Sequence, residues 1–218
     1  MLRNHRLFLR EYLRHFHHTG SIAPSSRWLG AALARHVSDG SGARRILEVG
    51  PGTGAVTRHI VAKLGTNDRF DLVELNPAFV ECLRRRFDDE PHFARVADRV
   101  RVINCPVEEL PCDRPYDAIV SGLPLNNFSV SDVRRILETF GTLMSPTATL
   151  SFFEYVAIRP ARAMVSGRQE RERLRGIGQA LQEVLDGREF SRECVWPNLP
   201  PAWVHHVRSW HKASGGPQ

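Results

Sequence analysis

The sequence predicts a doubly wound α/β domain, and three observations carry that prediction. Short apolar runs alternate with amphipathic stretches between residues 45 and 156. The first run, Arg45-Ile46-Leu47-Glu48-Val49, breaks at once into Gly50-Pro51-Gly52-Thr53-Gly54. An acid, Glu74, closes the second run about 20 residues after those glycines, the spacing at which a carboxylate meets ribose hydroxyls. A buried parallel strand that turns sharply into a helix around a nucleotide-like ligand has this pattern.

Taken in order, residues 2–16 read as an amphipathic helix. Arg3, Arg6, Arg10 and Arg14 share one arc, and Leu2, Phe8, Leu9, Tyr12, Leu13 and Phe16 share the opposite one. Such a helix can lie in an anionic membrane surface or pack on the domain. Residues 17–20 close it, and Ser25 or Ser26 caps a second helix over 27–37. Strand one covers 45–49 and its helix 54–64; strand two covers 70–74 and its helix 77–87. Strand three is 100–103. Strand four, 116–121, runs into Gly122-Leu123-Pro124-Leu125-Asn126-Asn127-Phe128, and a helix over 130–143 leads to strand five, 148–156. A strongly charged stretch, 157–189, contains a helix over 169–186. Two last strands, 190–196 and 202–210, flank Pro197-Asn198-Leu199-Pro200-Pro201, and a disordered tail is expected from residue 213. The expected division is a membrane-contacting helix over 1–20, a catalytic domain over 21–212 and a tail over 213–218.

Composition narrows the function classes. The net charge is +6, and of 30 basic residues only Lys63 and Lys212 are lysine. Arginine forms forked hydrogen bonds to phosphate and carboxylate, which suits an anionic partner; genomic bias towards arginine accounts for the same excess. Cys82, Cys105, Cys112 and Cys194 form no C-x-x-C pair, so no zinc site is expected and the thiols read as reduced. There is no run of about 20 apolar residues and no signal-peptide pattern. The expected location is therefore cytoplasmic, peripheral on the inner face of the cytoplasmic membrane.

Ligands in such sheets sit beyond the C-terminal ends of the strands. That places Glu48, Glu74, Asn104, Ser121 and Glu154 around one expected crevice. Gly50, Gly52 and Ala55 also satisfy a dinucleotide pattern, so a nicotinamide oxidoreductase fits the glycines alone. Acidic Glu48 before the turn, the tight G-x-G-x-G spacing and the motif after strand four favour S-adenosylmethionine. The expected cofactor contacts are Glu48, Gly50, Pro51, Gly52, Thr53, Gly54, Glu74, Leu75, Asn76, Pro106, Val107 and Ser121.

At these residues the chain resembles the class I S-adenosylmethionine-dependent methyltransferases. Leu47-Glu48-Val49-Gly50-Pro51-Gly52-Thr53-Gly54 is similar to their first motif, and Val73-Glu74-Leu75-Asn76 to their ribose-binding motif. The resemblance covers residues 44–156 and implies a Rossmann-like, seven-stranded sheet whose last strand is antiparallel. A narrower resemblance, to bacterial phospholipid N-methyltransferases, rests on five stretches: the N-terminal helix, Thr19–Ser26, the glycine motif, Val120–Phe128 and Asn198–Ala202. It implies N-methylation of an aminolipid headgroup, of phosphatidylethanolamine or ornithine-lipid type, at a membrane surface. The related ribosomal RNA adenine dimethyltransferases carry an N-L-P-Y type motif after strand four. Here Ser121-Gly122 precede Leu123-Pro124 and no aromatic follows directly, which counts against stacking of a flipped adenine. An RNA or DNA adenine methyltransferase, or a non-catalytic nucleic-acid-binding relative, is the alternative.

An amine nitrogen must attack the sulfonium methyl in line, and it must arrive neutral although a free amine titrates near pH ~10. Glu154 and Tyr155, ending strand five, and the Leu123 and Pro124 carbonyls are the expected catalytic groups that orient the ammonium. His205 and His206 are candidate bases, with strand alternation sending one inward and one outward. Arg3, Arg6, Arg10, Arg14 and Phe128 are the expected substrate or membrane contacts; Arg159, Arg162 and Arg168 could hold the headgroup.

Overall fold

In the computed structural model, residues 26–38, 42–156 and 167–210 are described. The expected helix over 2–16, with Arg3, Arg6, Arg10 and Arg14, lies outside them, as do Arg159, Arg162 and the tail from residue 211. The strands are β1 (Arg45–Val49), β2 (Arg69–Val73), β3 (Val100–Ile103), β4 (Tyr116–Ser121), β5 (Met144–Tyr155), β6 (Glu189–Val195) and β7 (Ala202–Arg208). The helices are α1 (Arg27–Leu33), α2 (Thr57–Val61), α3 (Pro77–Asp89), α4 (Pro91–Ala94), α5 (Val130–Leu143) and α6 (Arg168–Leu185).

One seven-stranded sheet runs β3-β2-β1-β4-β5-β7-β6. β1 pairs in parallel with β2 and β4, β2 with β3, and β4 with β5. β7 alone is antiparallel to its neighbours β5 and β6. The expected doubly wound sheet with a reversed last strand is what the chain forms. Differences are at element ends: α2 starts at Thr57 after turns over 52–56, β5 begins four residues earlier than expected, and the short α4 carries no periodic signal of its own.

Strand alternation divides the core. Ile46, Phe70, Leu72, Val120 and Phe153 meet α1, α2 and α3 on one face. Leu47, Val49, Ile119, Leu150 and Phe152 meet α5 and α6 on the other. Both faces are covered, so the strands read as continuous apolar runs. The charged stretch around α6 is amphipathic: Leu174, Ile177, Ala180 and Leu181 are buried and recur at helical spacing. Capping follows the sequence. Ser26 Oγ accepts from Leu29 N–H at 3.2 Å, Asn76 Oδ1 from Ala78 N–H at 3.0 Å, and Ser129 Oγ from Asp132 N–H at 3.1 Å.

The β6–β7 hairpin is held to α1 by the packing of Leu29 and Leu33 with Val195, Ala202 and Val204, by the Arg35–Glu193 ion pair just after the helix, and by Asn198 at its cap. Asn198 Oδ1 accepts from Ser26 N–H at 3.2 Å, and Asn198 Nδ2 donates to Pro200 O at 2.8 Å. Asn198 is buried, and its partner Ser26 lies 172 residues away, so this tie is not visible in the Asn198–Ala202 stretch itself.

Candidate active site

The cleft opens where β1 and β4 part, at the switch point of strand order. The β1 turn and the β4 turn touch there. Gly122 N–H donates to Val49 O at 2.8 Å, and a Cβ on Gly122 would stand 2.6 Å from Gly50 O. Glycine at 122 is therefore required by backbone contact, the physical meaning of the Ser121-Gly122 pair. Gly52, at φ 57°, faces open space where a Cβ would point, leaving its backbone accessible to a ligand.

Glu74 is the site's fixed acid. Its Oε2 accepts from Gly52 N–H at 3.0 Å and its Oε1 from Asn76 N–H at 2.8 Å, so β2 and the glycine turn are locked together through it. Burial pushes its pKa up, and the backbone N–H groups of Asn76 and Gly52 oppose that rise. Each oxygen keeps acceptor capacity for a ligand hydroxyl. Leu75, Phe79, Cys105, Pro106, Val107 and Glu108 make a mostly apolar slot beside it, and Gly122, Leu123, Pro124, Phe128 and Ile136 make the opposite wall. The cleft holds about 710 Å3 including its open mouth. Among the described residues its charged lining side chains are Glu74 and Glu108, with no arginine, lysine or histidine.

The expected contacts fall into two sets. Gly50, Gly52, Glu74, Leu75, Pro106, Val107, Leu123, Pro124 and Phe128 line the cleft. Glu48, Pro51, Thr53, Gly54, Asn76 and Ser121 do not. Glu48 is fully buried beneath the turn, and neither carboxylate oxygen meets a donor at hydrogen-bond geometry. Burial pushes its pKa up to about 8; nearby Thr57 tempers the rise and the Glu74 charge adds to it. Ser121 is fully buried and accepts from Leu123 N–H at 3.3 Å, and Thr53 O accepts from Arg86 Nη1 at 2.6 Å. Asn104 turns away, with Nδ2 donating to Glu74 O at 2.8 Å and Leu75 O at 3.0 Å. Phe79, Glu108 and Ile136 are cleft residues the sequence pattern did not single out; each projects from a helix or loop whose rotation only packing sets.

The two expected groups at the end of β5 are parted by strand alternation. Glu154 lies on the α6 face, and Tyr155 lies on the α1 face, edge-on to Phe153 at 5.2 Å and buried in that core. His205 and His206 split likewise, but both are buried because both faces are covered. His205 stacks on Phe152 at 5.1 Å, with Nδ1 2.6 Å from Glu189 Oε1 and Nε2 3.6 Å from Glu154 Oε1. His206 Nδ1 is 2.8 Å from Ser151 Oγ, and burial, with His36 close by, pushes its pKa down to about 4. Arg168 pairs with Glu172 on the exposed side of α6. Arg173 braces the loop after β4: Nη2 donates to Asn126 O at 3.1 Å, Nη1 donates to Phe128 O, and Glu170 Oε2 accepts from its Nε at 2.7 Å.

Comparison with known proteins gives this geometry its family. A family model described as a methyltransferase domain matches residues 46–147. An ornithine lipid N-methyltransferase of Singulisphaera acidiphila is 30% identical over 145 residues, 66% of this chain and 74% of that protein. The chain belongs to the class I S-adenosylmethionine-dependent methyltransferases. The methyltransferase also shares 37% identity over 81 residues with a ribosomal RNA small subunit methyltransferase A of Marinobacter nauticus, covering 37% of this chain and 27% of that one. Among solved structures, an O-methyltransferase from Bacillus cereus, in complex with SAH, superposes with a TM-score of 0.64. It is 18% identical and covers 92% of this chain and 90% of its own, a likeness of fold.

S-adenosylmethionine is the methyltransferase's cofactor, and the cleft fits it. Glu74 presents acceptors for a ribose diol, the slot from Leu75 to Val107 suits a flat ring, and the exposed Gly52 backbone allows close approach. An acidic lining, from Glu74 and Glu108 among the described residues, favours a cationic sulfonium and disfavours a pyrophosphate. The bound cofactor supplies an activated methyl group; the protein's own part is to hold it and align an acceptor.

Proposed function

We propose that the methyltransferase N-methylates an aminolipid headgroup, of phosphatidylethanolamine or ornithine-lipid type, at a membrane surface. The observation that carries this reading is the 30% identity, over most of both chains, to a protein named ornithine lipid N-methyltransferase. The wall after β4 agrees with it. The residue after Leu123-Pro124 is Leu125, buried in the core, so no aromatic ring follows the pair directly; the aromatics of the cleft are Phe79 and Phe128.

In this reading the enzyme's residues do three things. Leu123 and Pro124 shape the cleft wall, their carbonyls accepting from Leu125 and Asn127 N–H within the turn, and Arg173 of α6 fixes that loop through the Asn126 and Phe128 carbonyls. Apolar walls exclude water from the line of transfer. Glu154, mostly buried and outside the cleft lining, is the carboxylate this reading assigns to the ammonium proton. Val120 pairs with Ser151, so Glu154, three residues further along β5, is level with the turn to Leu123. The amine titrates near pH ~10 in water and must give up its proton before attack. Glu154 takes it, and His205, lying between Glu154 and the half-buried Glu189, passes it outward.

Radiolabelled methyl transfer to a panel of phosphatidylethanolamine, ornithine lipid and RNA tests the proposal. Label in an aminolipid is the expected result; label in RNA alone overturns it.

A further inference from the structure

Among the described residues the large apolar side chains left exposed are Trp28, Trp196 and Leu199. Their exposures are 47%, 68% and 81%. They come from distant parts of the sequence and converge on one contact. Trp28 is two residues beyond Ser26, Trp196 and Leu199 flank Asn198, and Ser26 N–H donates to Asn198 Oδ1 at 3.2 Å. The topology puts this contact at the rim that carries the cleft. β7 starts at Ala202 opposite Tyr155, the C-terminal end of β5, so the β6–β7 turn projects from the same edge as the glycine turn. Two strand spacings separate β7 from β4, about 10 Å.

We infer that this rim is a membrane-docking surface, seated in the headgroup region of an anionic bilayer, which brings the cleft mouth to its lipid substrate. The inference rests on the aminolipid reading for its purpose. Tryptophan rings prefer the membrane–water boundary, and an exposed Trp–Leu turn gains by entering it. The charge of the rim is complementary to anionic lipid. Arg27 is exposed, with its guanidinium 4.0 Å from the Trp28 ring centroid, and neither Ser26–Trp28 nor Trp196–Pro201 contains an acid. The chain outside the described residues enters here too. Residues 1–25, with four arginines on one predicted arc and leucines and aromatics on the other, join the domain at Ser26 beside Trp28.

The test uses the full chain and vesicles of phosphatidylcholine mixed with phosphatidylglycerol, which contain no amine that can be methylated, the choline nitrogen being already quaternary. Quenching by lipids brominated near the headgroup, compared between the wild type and Trp196→Phe, isolates Trp196. Vesicle-dependent quenching of Trp196 is expected. The pair Trp196→Ser, Leu199→Ser is expected to weaken partitioning about tenfold or more while keeping calorimetric binding of S-adenosylhomocysteine, which shows an intact cleft. Unquenched Trp196 with unchanged partitioning of the double variant overturns the inference. Trp196 already shielded from iodide without vesicles assigns the patch to residues 1–25, and concentration-dependent dimerisation abolished by the double variant assigns it to a second copy; either also overturns it. Docking observed together with label in RNA alone leaves the surface standing and removes the aminolipid reading, so the two failures are distinct.

Discussion

Replacing Glu48 by glutamine should make the ligand-free protein more stable at neutral and alkaline pH, and the size of the gain should depend on pH. Glu48 is fully buried, and burial outweighs the tempering effect of Thr57 to push its pKa up from 4.5 to about 8. In the unfolded chain it ionises near its ordinary value. Below that value both states hold the proton and the acid costs nothing. Above it the folded state binds more protons than the unfolded state, so stability falls with rising pH until the folded group ionises. Each pH unit between the two titrations is worth about 1.4 kcal/mol, giving an upper bound of about 5 kcal/mol, and relaxation around the charge reduces it to about 2 kcal/mol. Glutamine keeps the shape and does not titrate. Urea unfolding of both proteins at intervals from about pH 5 to about pH 8 should show the stability difference growing by about 2–5 kcal/mol in favour of the variant. Parallel profiles would refute the reasoning. Because the Glu74 charge adds to the rise, Glu74→Gln should also flatten the wild-type slope.

Further expectations concern the cleft and its supports. Glu74→Ala removes the acceptors from Gly52 and Asn76 and should weaken S-adenosylhomocysteine binding by about 1–3 kcal/mol in calorimetry. Gly122→Ala puts a Cβ 2.6 Å from Gly50 O; binding should be lost with the far-ultraviolet circular dichroism unchanged. Arg173→Ala leaves the Asn126 and Phe128 carbonyls without their clamp, and kcat should drop about tenfold or more with cofactor affinity held within about twofold. Asn198→Ala should lower the free energy of unfolding by about 1–2 kcal/mol, measured by urea denaturation, through loss of its bonds to Ser26 and Pro200.

The strands were legible because both sheet faces are covered, which turns each strand into an apolar run with a marked end. β1, β3 and β4 match the expected spans, and only the ends of β2 and β5–β7 moved. The acids were harder to place. Glu48 and Glu74 look alike in sequence, each an acid at a strand end, yet one is sealed under the turn and the other forms the cleft floor. Strand phase decides this: Glu48 faces α2 and Thr57, whereas the chain beyond Val73 turns, letting Glu74 face Gly52. The same phase separates Glu154 from Tyr155. Arg173 and Asn198 were invisible as positioning groups because their partners lie far along the chain, 45 and 172 residues away.

The sequence alone determined the order of elements, the glycine turn and the acid at the end of β2, because periodicity and backbone freedom are local properties. The tertiary structure decided which of those groups share a cleft and which are buried, because that depends on strand phase, helix rotation and pairing across the sheet. It also decided that Trp28, Trp196 and Leu199 stand together at one rim, since the Ser26–Asn198 hydrogen bond and the packing of Leu29 and Leu33 with Val195, Ala202 and Val204 bring α1 to the β6–β7 hairpin.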